Sequence, residues 1–171
     1  MSAVAPVSSV PQEASPAPRA RAVVLTLAAV VGAWFVFKYA VPYVVPDALH
    51  AARYASRRAW LLVHIACGAA AILVGPVQLW LGLGRRWLGL HRKLGLAYVA
   101  CVVLGSFAAF GLAAQTRLGW VVGLGLTGLG IAWLTTTGMA VLAIRRGLVA
   151  QHREWTIRSY VVTFAFVTFR L

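Results

Sequence analysis

Apolar and polar positions alternate along this chain on the scale of whole elements. After a polar beginning, long apolar runs cover about 22–42, 59–83, 94–114, 120–144 and 155–171, with short cationic clusters between them. A bilayer core about 30 Å thick is crossed by about 20 mostly apolar residues in a helix. Lipid offers no partner to an unpaired peptide group, and these runs are too long and unbroken for barrel strands. The pattern therefore predicts an all-α fold, a polytopic transmembrane helical bundle with five helices visible. Residues 1–20, rich in Pro, Ala and Ser, form a disordered tail; 21–46 hold the first transmembrane helix; and 59–171 form a four-helix membrane core domain. The fifth run stops at Arg170-Leu171 with no polar flank, short for a span, so the chain is expected to continue beyond it.

Within the runs the pattern has a second, finer period. Projected at about 100° per residue, the second helix collects His64, Cys67, Gly68, Ala71, Gly75, Gln78 and Gly82 on one stripe, opposite a face of Leu, Ile and Val. The third aligns His91, Gly95, Tyr98, Val102, Gly105 and Ala109, and the fifth aligns His152, Trp155, Ser159, Thr163, Phe166 and Arg170. Small residues on one face of a membrane helix permit close approach of a neighbour, so these stripes are expected to face the bundle interior, each carrying a histidine. Trp34, Trp60, Trp80, Trp87, Trp120 and Trp155 fall near span ends, as an aromatic belt does; only Trp133 falls inside one.

Composition agrees with the pattern. The chain of 171 residues is 61% hydrophobic with a mean hydropathy of +0.83, an excess no soluble domain of this size could cover. Sixteen Lys and Arg face only Glu13, Asp47 and Glu154, giving a net charge of +13. The cations lie in short clusters between apolar runs, which argues for a membrane protein and against a nucleic-acid partner. The side holding the N-terminus, called side A, collects ten cations (Arg19, Arg21, Arg85, Arg86, Arg92, Lys93, Arg145, Arg146, Arg153, Arg158), and the opposite side B six (Lys38, Arg53, Arg57, Arg58, Arg117, Arg170). The positive-inside rule places side A in the cytoplasm. Cys67 and Cys101 sit in apolar runs without a CxxC pattern and read as small buried residues.

An ionisable group inside a membrane is costly enough to mark a candidate site. Chain direction puts His91, His152 and Gln78 near side A, and His64 and Arg170 near side B. Structural readings compete with functional ones. His91 and His152 could anchor the interface, His64 could make an interhelical hydrogen bond, and Arg158 could extend outward to water. Gln78 could satisfy the carbonyl freed by Pro76.

Three blocks, HIACGAAAILVGPVQLW, LHRKLGLAYV and QHREWTIRSYVVTFAFVTFR, resemble a bacterial membrane-protein family catalogued as domain of unknown function 2306, over about residues 60–171. The resemblance rests on His64, Gly75, Pro76 and Gln78, then His91, Arg92, Gly95 and Tyr98, then His152, Arg153, Trp155, Arg158, Ser159 and Arg170. Thr156 stands where the family pattern has methionine. The resemblance implies a membrane location and a helical bundle, with no established activity.

Several functional classes stay open. In the first, His91 and His152 hold a b-type haem as an axial pair, with Arg92, Arg153 or Arg158 on the propionates, and His64 takes His50 as a side-B partner. A quinone or another redox partner would then complete electron transfer. This resembles two-haem membrane cytochromes and ferric-reductase-like proteins by fold analogy. In the second, the side-A Arg/His cluster binds an anionic lipid or small anion at helix N-termini. A metal-dependent hydrolase using Glu154 has little support, since no HExxH or Ser-His-Asp pattern is present. The last is an accessory subunit. Whether the chain is an enzyme is not fixed by these residues.

Overall fold

The computed structural model describes residues 18–44, 57–85, 87–116 and 118–168. Helix α1 (Pro18–Phe35) continues through a π-helical turn (Val36–Ala40) into a last α turn (Val41–Val44). It is followed by α2 (Arg58–Leu83), α3 (Leu88–Ala114), α4 (Trp120–Arg145) and α5 (Val149–Thr168). The chain is thus helical as its apolar runs require, and α1 to α4 are each long and apolar enough to cross a membrane. The described part of α5 falls outside that set, because Arg153, Glu154 and Arg158 crowd its first half.

Helices α2, α3, α4 and α5 pack in succession and α5 closes back on α2, so the four form a ring in which α3 and α5 stand diagonally opposed. Helix α1 lies outside the ring, chiefly against α2. Short reversals enforce the antiparallel order. At the end of α4 the Leu148 amide donates to the Ala143 carbonyl at 2.9 Å and the Gly147 amide to Ile144 at 3.1 Å. This is a Schellman closure with Gly147 in the left-handed position at φ 76°.

The described side chains of the predicted stripes face inward. Ala71 from α2, Tyr98 and Val102 from α3, and Trp133 from α4 form the central core. Trp133 is wholly buried, as expected of the one tryptophan placed inside a span, whereas Trp34, Trp60, Trp80, Trp87 and Trp120 are exposed. Proline at position 76 removes the amide that would bond the Ile72 carbonyl. That carbonyl is satisfied from another helix, by the Tyr160 hydroxyl of α5 at 3.3 Å, and not by Gln78. Gly75 makes room for this, since a Cβ there would overlap the Tyr160 ring.

Three helix starts differ from the sequence reading, the first being α1, which begins at Pro18 inside the segment read as a disordered tail. Helix α3 begins at Leu88 rather than 94, and α5 at Val149 rather than 155. The segments LGLHRK and VAQHRE are too charged to count as apolar span, yet they continue the helix into the interface. His91 and His152 consequently lie one turn inside their helices.

Candidate functional site

Each of the three stripe histidines is oriented by a backbone carbonyl on a neighbouring helix. His64 Nδ1–H donates to Gly105 O of α3 at 3.0 Å. His91 Nδ1–H donates to Gln78 O of α2 at 3.2 Å, and His152 Nδ1–H to Ala140 O of α4 at 2.9 Å. A carbonyl can only accept, so each bond fixes the proton on Nδ1 and leaves the lone pair of the neutral ring on Nε2. Ligand histidines are commonly held in this way, with one nitrogen tethered and the other presented.

His91 and His152 meet. Carried by the diagonal helices α3 and α5, their rings lie 6.3 Å apart between centroids with planes at 88°. The space for this comes from glycine: a Cβ on Gly82 would come within 2.7 Å of His91 Cε1. Gln78 lies against the same place. Its amide nitrogen would sit 2.7 Å from a Cβ on Gly95, and its Oε1 is buried without a hydrogen-bond partner. The GPxQ and HRxxGxxY blocks therefore form one interlocked unit in which Gln78 binds His91 through its carbonyl and fills the notch at Gly95.

Two turns deeper than the histidine pair lies a hydroxyl network that ties three helices together. Tyr98 Oη is 2.7 Å from Thr163 Oγ1 and 3.0 Å from Ser159 Oγ. Trp133 Nε1–H donates to Thr163 Oγ1 at 2.8 Å, and Thr137 Oγ1 lies 2.7 Å from Ser159 Oγ. Tyr98, Ser159 and Thr163 were visible as stripe residues; Thr137, inside the run TTTG, had no pattern to single it out. The network and the Ala71–Val102–Trp133 core separate the side-A pair from His64. Counted along α3 from His91 to Gly105, that separation is about 21 Å. Cys67 and Cys101 are free thiols in this middle region.

The proposed cationic partners stand at the rim. Arg92, Arg153 and Arg158 are exposed; Arg158 pairs with Glu154 at 3.7 Å and lies 4.5 Å over the Trp155 ring. The His91 and His152 amides donate to Trp87 O at 3.0 Å and Leu148 O at 2.9 Å. These two positions therefore do not offer open helix N-termini to an anion, as the expected boundaries implied. Arg170 and His50 lie outside the described residues. Among the described residues no three of His, Cys, Asp and Glu come together.

Residues 61–171 match the family model described as Predicted membrane protein (DUF2306). Neither the curated proteins nor the solved structures yield a match.

Proposed function

The chain belongs to the DUF2306 family of predicted membrane proteins, and from that premise we propose that it is a b-type haem protein of the bacterial inner membrane, taking part in electron transfer, with His91 and His152 as the axial pair. The observation that carries the reading is the meeting of these two rings from diagonal helices, 6.3 Å apart, each tethered through Nδ1. Two histidines on facing helices, each with Nε2 unprotonated, would be the residues to hold the iron of a haem. Haem supplies one-electron chemistry when bound between two histidines.

The protein's part is to present both Nε2 lone pairs, to keep water away and to balance charge. Gln78 O and Ala140 O hold the rings against rotation, and the Ala71–Val102–Trp133 core closes the site from below. Arg92 and Arg153, each next in sequence to an axial candidate and exposed at side A, suit the two propionates. The alternative, an anionic lipid or small anion at this cluster, finds the two histidine amides already bonded and would depend on the arginine side chains alone. His64 is assigned no haem: its tether is the same, but the expected partner His50 is outside the described residues.

Haemin titration of the purified protein in mild detergent tests the pair. Wild type and His64→Ala are expected to take up one haem with a low-spin spectrum, and His91→Ala and His152→Ala to lose that signature while remaining monodisperse. Equal uptake by all four proteins would refute the assignment.

A further inference from the structure

A second site lies on the outer face of the bundle, away from the histidines. Between α3 and α4 runs a cavity of about 400 Å³, floored by Val102 and walled by Val99, Val103, Leu134, Gly138 and Val141, with Arg145 at one end. Val103 and Leu142 on its rim are exposed, so it opens sideways to the bilayer. From Leu134 to Arg145 it follows α4 for about 16 Å, close to the thickness of one hydrocarbon leaflet, about 15 Å. Its inner end lies near the bilayer midplane and Arg145 marks the side-A interface.

We propose that this groove binds one chain of a phospholipid whose headgroup carries net negative charge. The argument is charge complementarity at a single mouth. Arg145 ends α4, and Arg92 lies seven residues before Val99, hence on the same face of α3 two turns toward side A. One guanidinium from each wall thus brackets the point where an inserted chain would emerge, and no acidic side chain lies in either helix. A phosphodiester matches two such forks, whereas a neutral head leaves both charges uncompensated. The groove and Arg145 stand apart from the haem reading and neither His91 nor His152 lines it, while Arg92 is shared by the two, so a loss of lipid preference in Arg145→Ala alone belongs to the groove.

Native mass spectrometry of the full chain in mild detergent, titrated with phosphatidylglycerol or phosphatidylcholine of the same acyl length, reads the preference directly. Wild type is expected to retain phosphatidylglycerol on the order of ten-fold better, from two cations near the headgroup. Arg92→Ala/Arg145→Ala should abolish the preference. Gly138→Trp, at a position where a Cβ meets nothing within 4 Å, should fill the groove and reduce retention of both lipids, and Arg158→Ala should change neither. Equal retention of the two lipids by wild type, undiminished binding to a folded Gly138→Trp protein, or an isoprenoid quinone that displaces phosphatidylglycerol would each overturn the proposal.

Discussion

Gly82 shows how much a single missing side chain decides. The His91 ring occupies the volume a Cβ would take, and its Nδ1 reaches Gln78 O one turn back on the same helix. Gly82→Ala should therefore displace the imidazole and weaken haem uptake by about 10–100-fold, the range seen when an outer-shell contact to a ligand is lost. Gly89→Ala, where a Cβ meets nothing within 4 Å, should leave the same titration unchanged. The hydroxyls act differently, because their value is structural. Tyr98→Phe removes the group shared by Ser159 and Thr163, and buried interhelical hydrogen bonds in membranes contribute about 0.6 kcal/mol each. Its cost in a reversible unfolding assay in mixed micelles should be about 1 kcal/mol. A loss of haem uptake without loss of stability in that variant would instead give Tyr98 a direct role at the site.

Between elements, the closest fit joins α2 to α5, where Tyr160 enters the notch at Gly75 and bonds the carbonyl that Pro76 frees. Gly75→Leu should force these helices apart and lower folded yield, and Tyr160→Ala should partly restore it, because the two changes act on one contact. Strictly additive defects would contradict that packing. Such pairings also mark what the sequence could disclose. Helix number, the inward stripes and the solitary position of Trp133 were legible, since span length and small-residue periodicity follow directly from burial in lipid. The starts of α3 and α5 were not, because Arg92, Lys93, Arg153 and Glu154 end an apolar run without ending a helix. Thr137 and the Tyr160–Ile72 bond were hidden for another reason. A hydroxyl's partner on a separate helix depends on the rotation and register of both, which no single run encodes. Arg145 was read as a topological charge, and its place at the groove mouth appears only once α3 and α4 are side by side.

For the whole molecule, the ring of α2 to α5 separates a side-A histidine pair from a side-B histidine across a buried core centred on Trp133. The asymmetry of cations predicts side A to be cytoplasmic. A cysteine at Leu118, exposed in the α3–α4 turn, in a chain carrying Cys67→Ala and Cys101→Ala, should react in intact cells with a membrane-impermeant maleimide. Protection until lysis would reverse the topology. The central claim, that the diagonal helices hold one haem between His91 and His152, is most directly tested by the dithionite-reduced minus oxidised absorption spectrum of protein purified from haem-replete cells. The account predicts a Soret shift with sharp α and β bands at one haem per chain. A colourless, folded, monodisperse protein that stays colourless after incubation with haemin would contradict it.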